Sequence, residues 1–401
     1  MSGIKEKLWT KDFLTVSVIN FFVILIFYLL MVTTASFVVS EYHASASQGG
    51  LATGIYIVGT LIGRLFTGRV INSAGTKKVL VIGLIAFIIT TGLYVVYAGI
   101  WLFLIIRLVN GMAAGIASTA TGTMVAQIVP ISRKSEGIGY FSMSSTLGTA
   151  IGPFLGITLS QNTSYTNIFL FCLALAVVAF IISFILKAPA VPTSKAHTVT
   201  EKPKQAFSFK HYIEPNAISI AIVTFLMSFG YAAILSFINF FAQERDLVTA
   251  SSFFFLVYAI AILLTRPFSG RLMDTRGSNY VMVPCFILFA GGLVLISGAY
   301  SGFILLVAAA IIGAGFGNLQ SGAQAIAVRV TPAERTGLAT STFFIALDAG
   351  LGFGPSLLGI VEPIIGYSSL FGGLAILALL SLVIYMLLHG RRDKQLIARA
   401  N

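Results

Sequence analysis

Two ionisable side chains lie deep inside long uncharged runs: Arg107, in Arg107-Leu108-Val109-Asn110-Gly111, and Asp348, in Ala346-Leu347-Asp348-Ala349-Gly350. A charge at the centre of a bilayer costs about 2.5–3.5 kcal/mol on insertion scales, so each demands a reason. Low dielectric disfavours the charged form of a carboxylate, which lets such an acid load and unload a proton near neutral pH. Asp348 is therefore the expected proton carrier. Arg107 is expected to bias that titration or to hold an anionic group of a solute. The competing assignment is a fixed structural ion or hydrogen bond between helices.

Other chemistries lack their residues. ATP-driven work needs a Gly-x-x-x-x-Gly-Lys loop, and the chain contains no Gly-Lys dipeptide. His43, His197, His211 and His389 fall in loops or at helix ends without metal-ligand spacing, so neither a metal site nor a cofactor is expected, and no enzyme. Cys172 and Cys285 lie in apolar runs and read as buried structural thiols.

The elements that position these residues follow from composition. The 401 residues are 57% hydrophobic and 9% charged, against roughly 25% charged in soluble domains. A span needs about 20 apolar residues, so this length accommodates about 12 helices and little else. Expected spans lie near 13–39, 48–70, 78–98, 100–128, 137–160 and 165–187, then near 215–241, 250–272, 279–299, 302–328, 336–360 and 365–389. The stretch 188–212, broken by Pro189, Pro192 and Pro203 and rich in Lys, reads as a cytoplasmic linker between domains 1–187 and 213–401. Lys5, Lys7, Lys11, Arg69, Lys77, Lys78, Arg133, Lys134, Arg271, Arg276, Arg329, Arg335, Arg391, Arg392, Lys394 and Arg399 share one side, while Arg245 alone sits in the opposite loops. Positive residues stay inside, so both termini are expected in the cytoplasm of a multi-pass cell-membrane protein. The net charge of +12 then faces anionic lipid headgroups, and a nucleic-acid partner is not expected.

Sliding the chain by 202 residues without a gap matches Tyr56 to Tyr258, Arg64 to Arg266, Gly68 to Gly270, Gly75 to Gly277, Gly111 to Gly313, Gly115 to Gly317, Arg133 to Arg335 and Gly152-Pro153 to Gly354-Pro355. Six helices separate equivalent points, so the halves insert in the same sense. The expected fold is all-α: two pseudo-symmetric six-helix bundles with a solute site between them near the midplane and access alternating from one side to the other.

These features resemble the major facilitator superfamily over essentially the whole chain. The loop Gly68-Arg69-Val70-Ile71-Asn72-Ser73-Ala74-Gly75-Thr76-Lys77-Lys78 is similar to the family's signature after helix 2, except that Asn72 replaces an acid. The resemblance implies that this acid ties the loop to neighbouring helix ends, so its loss weakens a charge-based lock in the first half. The second copy keeps the acid as Asp274. Arg64 and Arg266, read as one turn inside the helix ends, are expected to snorkel or to pair within the gate. Gly148, Gly152 and Pro153 resemble the Gly-x-x-x-Gly-Pro element of antiporter branches, a packing hinge that favours export. Arg107 with Asn110 resembles the Arg-x-x-Gln-Gly element implied in proton coupling. On helices that line the family's cavity, Asn20, Tyr28, Asn110, Tyr231, Asn239, Asn318, Gln320 and Gln324 are candidate solute contacts.

The implied function is secondary active transport by a monomer, exporting a small drug or metabolite in exchange for protons. Two alternatives stay open: proton-coupled import of a nutrient, and dedicated export of a zwitterionic or acidic metabolite such as an amino-acid-like chelator. No acid lies between Asp12 and Glu41 on the first helix, so a mainly cationic spectrum is not supported.

Overall fold

The computed structural model describes residues 7–44, 46–97, 99–187 and 212–392. The linker assigned to 188–212, apart from Tyr212, lies outside them, as do Lys5, Lys394 and Arg399. In a bilayer every backbone N–H and C=O must find its partner within the segment, and the described chain meets this demand entirely with helices. In order they are α1 (Lys11–Tyr42), α2 (Ala46–Ala74), α3 (Thr76–Gly92), α4 (Ile100–Ile128), α5 (Lys134–Asn162) and α6 (Tyr165–Ser183). There follow α7 (Ile218–Glu244), α8 (Val248–Arg276), α9 (Asn279–Ser297) and α10 (Gly302–Arg329). The final helical stretch, Thr336–Leu388, is divided by the non-helical Gly366 (φ 75°) into α11 (336–365) and α12 (367–388).

Side chains close helix starts. Thr10 accepts from the Phe13 N–H at 3.2 Å and Ser164 from the Asn167 N–H at 3.4 Å. Buried hydroxyls turn back onto their own helices, as Thr60 does to the Tyr56 carbonyl at 3.0 Å and Thr224 to Ile220 at 2.8 Å. Gly75 (φ 89°) and Gly277 (φ 104°) occupy matched turns after α2 and α8, where a Cβ would be strained.

Eleven helices among the described residues are long and apolar enough to cross a membrane. The expectation of twelve also counts α5, whose 29 residues are diluted by Ser, Thr and Gly. It continues as helix across Pro153. Within α10 the turn widens to a π-helical segment at Gly313–Gly317, which periodicity does not reveal. Cys172 and Cys285 are free and buried.

The chain forms two compact units. One holds Met1–Val129, Gly156–Ile218 and Val330–Phe344; the other holds Pro130–Leu155, Ser219–Arg329 and Ile345–Asn401. In the first, α2 and α4 touch backbone to backbone: a Cβ on Gly111 would stand 2.1 Å from the Tyr56 carbonyl oxygen, one on Gly115 2.4 Å from that of Thr60, and one on Gly59 2.0 Å from that of Leu108. In the second, a Cβ on Gly313 would stand 2.4 Å from the Tyr258 carbonyl oxygen, and one on Gly317 2.4 Å from Ile262. Adding 202 to 56, 60, 111 and 115 gives 258, 262, 313 and 317, so the sequence repeat is also a repeat of contacts. Small residues permit this approach where lipid supplies no hydrophobic drive for helix association.

Overpacking a crossing of this kind costs about 1–3 kcal/mol. Gly111→Ala and Gly313→Ala should each lower the thermal midpoint of the purified protein. Gly54→Ala, with nothing within 4 Å of the new methyl, should leave it unchanged or raise it.

Candidate functional site

The α2–α4 crossing builds the nest of Arg107. Ala52, Tyr56 and Thr60 follow one another at four-residue spacing on α2, and Arg107, Gly111 and Gly115 do the same on α4. Arg107 Nε donates to the Ala52 carbonyl at 3.0 Å, and Nη1 donates to the Tyr94 hydroxyl at 3.3 Å. The guanidinium lies 4.5 Å from the Tyr56 ring centroid. The side chain is fully buried, no carboxylate among the described residues pairs with it, and Nη2 has no hydrogen-bond partner there. Asn110 donates to Thr90 at 2.8 Å and Thr91 at 3.1 Å and accepts from Tyr94 at 3.0 Å. Its amide is thus occupied in holding α3 to α4 and in orienting Tyr94. Asn20 accepts from Thr121 at 3.1 Å, and Tyr28 packs edge-on to Phe27 at 4.6 Å.

The second unit carries its own polar and aromatic set. Tyr231 stacks on Phe316, in the π-helical segment, at 4.4 Å and on Tyr258 at 5.5 Å. Asn318 donates to Thr265 at 2.9 Å and accepts from Ser269 at 2.6 Å, linking α10 to α8. Gln324 is buried, with Nε2 lacking a partner among the described residues, and Gln320 is half-buried. The side chain of Asn239 lies outside the described residues. Asp348 is half-buried, twelve residues beyond Thr336, or about 18 Å along α11. The helix is seated there by Gly350, whose Cβ would meet Ser228 at 2.5 Å, and by Gly354, whose Cβ would meet Ala232 at 2.7 Å. On α5, Gly148 and Gly152 are buried and Pro153 half-buried.

Arg64 and Arg266 depart from the expectation of snorkelling one turn inside the helix ends. Each sits ten residues before its helix end, at Ala74 and Arg276, and both are buried. That is about 15 Å of helix, against about 5.4 Å for one turn. Arg64 lies over the Phe344 ring at 4.4 Å. Arg266 donates to Ser321 and lies against Gly139, whose Cβ would be 3.2 Å from its Cδ.

Two clamps lie near these arginines. In the second unit the start of α5 meets the end of α8: Asp274 accepts the N–H groups of Ser135 at 2.9 Å and Glu136 at 2.8 Å, and pairs with Arg329. A carboxylate on a helix N-terminus adds a charge–dipole attraction to its hydrogen bonds. Glu136 in turn pairs with Arg133 at 2.7 Å and Arg271 at 2.8 Å. Burial pushes the Glu136 carboxyl up, and the two guanidinium groups more than reverse it, leaving it below its usual range. Burial and then Arg329 pull the neighbouring Lys134 ammonium down to about 8, with Asp274 acting the other way. In the first unit the start of α11 meets the end of α2: Ser341 donates to the Arg64 carbonyl at 2.6 Å, a Cβ on Gly68 would stand 2.6 Å from Ser341, and Asn72 Oδ1 is 3.0 Å from where a Cβ on Gly337 would be. The matched residues are 72 with 274 and 135 with 337, so one clamp design is built twice, with an acid at the 72/274 position in only one copy.

Sequence reasoning missed Tyr56, Tyr94, Glu136 and Arg329 as parts of these arrangements. The 202-residue register carried a signal for some: it pairs Tyr56 with Tyr258 and Arg133 with Arg335, both noted only as repeats.

The family model described as Major Facilitator Superfamily matches residues 16–278 and 246–400. An uncharacterised MFS-type transporter of Methanocaldococcus jannaschii is 26% identical over 326 residues, covering 80% of this chain and 84% of its own. Multidrug resistance protein 2 of Bacillus subtilis is 24% identical over 354 residues (85% and 86%), and a putative metabolite transport protein of Haemophilus influenzae is 24% identical over 358 residues (86% and 87%). Among solved structures, the transporter FucP in its outward conformation has a similar fold, with a TM-score of 0.75 and 14% identity over 95% of this chain and 99% of that one. The human organic anion transporter MFSD10 gives 0.72 and 16% over 93% and 98%. The chain therefore belongs to the Major Facilitator Superfamily of transporters.

Proposed function

We propose that this protein is a twelve-span carrier of two six-helix bundles, 1–187 and 213–401, that exports a small organic solute from the cytoplasm in exchange for protons and works as a single copy in the cell membrane. The observation that carries this reading is the duplicated clamp. Contacts at the starts of α5 and α11, in matched register, are what a carrier needs to close its cytoplasmic side and reopen it. The names of the Bacillus and Haemophilus relatives support a drug or metabolite as the solute.

Within this reading Asp348 carries the proton. Arg107, a desolvated cation with an open Nη2 donor, attracts an anionic group or the proton-linked charge, while Asn110 and Tyr94 hold it in place. Tyr231, Gln320 and Gln324 offer the second unit's solute contacts, with Asn20, Tyr28, Asn239 and Asn318 as further candidates. Gly75, Gly148, Gly152 and Pro153 let the gating helices pack and turn. The absence of acid along α1 and the buried arginine favour a neutral, zwitterionic or acidic solute over a lipophilic cation.

Proteoliposomes with an imposed proton gradient test this directly, using radiolabelled neutral, zwitterionic and acidic metabolites. The gradient should drive accumulation against the proton flow, and Asp348→Asn should abolish that drive while leaving solute exchange without a gradient. Full coupling in Asp348→Asn would remove it from the mechanism. Arg107→Lys should weaken solute affinity less than Arg107→Ala, because the ammonium keeps the charge but loses the planar fork. At the clamp, Asp274→Asn removes the charge–dipole attraction, worth about 0.3–1 kcal/mol, and exposes Arg329. Alkylation of a cysteine placed at Ser135 should then accelerate.

A further inference from the structure

The first clamp lacks both acids of the second. Asn72 stands in register with Asp274, and Leu338 with Glu136, so nothing on the start of α11 itself can pair with Arg335 as Glu136 pairs with Arg133. The carboxylate comes from elsewhere. Glu214, just before α7, is fully buried and its Oε2 lies 2.9 Å from Arg335 Nε, an ion-pair contact with Arg335 42% exposed. The Glu214 backbone N–H donates to Thr342 on α11 at 2.9 Å, a second tie to the same helix. Glu214 Oε1 also accepts from the Asn216 N–H at 3.2 Å, which fixes the carboxylate at the start of the 3-10 turn leading into α7. Its register partner, Asp12, is used differently: it accepts from the Lys187 N–H at 3.1 Å. The Glu214–Arg335 pairing is therefore not inherited from the repeat.

We propose that Glu214 is the positioning acid of the first clamp, taking over from the missing charge at Asn72 by holding the start of α11 through Arg335. This rests on the reading of the α2–α11 contact as a gate. Glu214 and α11 lie in the same half, so the pair does not cross the α2–α11 contact; it fixes where the start of α11 sits, and removing one partner leaves the other uncompensated and lets that start shift away from α2. The two clamps thus use acid at different places, on the end of α8 in one and ahead of α7 in the other.

The test uses a full-length Cys172→Ser/Cys285→Ser background carrying Thr340→Cys, a buried position on α11 next to Ser341, and measures its alkylation by N-ethylmaleimide in nanodiscs. Glu214→Gln and Arg335→Glu should each raise the rate by about tenfold, equivalent to a population shift of about 1.4 kcal/mol. Glu214→Asp and the swap Glu214→Arg with Arg335→Glu should return it towards the parent, which a merely structural loss would not do. Gly68→Leu, which must collide with Ser341, serves as a mechanical opener. Acceleration by Gly68→Leu with no response to Glu214→Gln or Arg335→Glu would overturn the role of Glu214 alone. Silence in Gly68→Leu as well would show that the contact does not open, and would remove the gate and this proposal together.

Discussion

The backbone contact between Gly111 and the Tyr56 carbonyl is the constraint on which the first unit depends. It sets α2 and α4 close enough for the Ala52 carbonyl to reach Arg107 Nε and for the Tyr56 ring to lie under the guanidinium. Without that approach the arginine would lose the Ala52 acceptor and the Tyr56 face together, and would keep only Tyr94. The same crossing recurs at Gly313 and Tyr258, where no arginine corresponds to Arg107: its register mate is Ala309. One packing device thus serves two purposes, a charged nest in one unit and an aromatic stack of Tyr231, Tyr258 and Phe316 in the other.

The clamps show a similar divergence from a common plan. Asp274 spends its charge on two helix N–H groups and Arg329, while Asn72 offers a neutral oxygen at the matched place. Glu136 sits between two guanidinium groups that offset the cost of its burial. The repeats thus keep their contact geometry while redistributing their charge.

Much of this was legible in the residues. Hydropathy and charge placement gave the helices, because a bilayer admits few alternatives for backbone polar groups. The 202-residue register anticipated the crossings, because only glycine fits where a carbonyl stands 2.1 Å from a Cβ. The depth of Arg64 and Arg266 was not legible, since α2 and α8 run on through the loop motif for ten residues beyond them. The engagement of Asn110 with Thr90, Thr91 and Tyr94 was also hidden, because periodicity places a residue on a helix face without naming what that face meets. The π-helical turn at Gly313–Gly317 and the partnership of Glu214 with Arg335, 121 positions later by subtraction, lay beyond any local pattern.

The most direct measurement of the central claim, that the protein carries solute by closing one side before opening the other, is counterflow in proteoliposomes loaded with unlabelled solute. A carrier predicts a transient accumulation of external radiolabel above equilibrium, decaying as the internal pool exchanges. Simple equilibration without overshoot, proportional to the gradient and unsaturated by added solute, would contradict the account and mark an open pore.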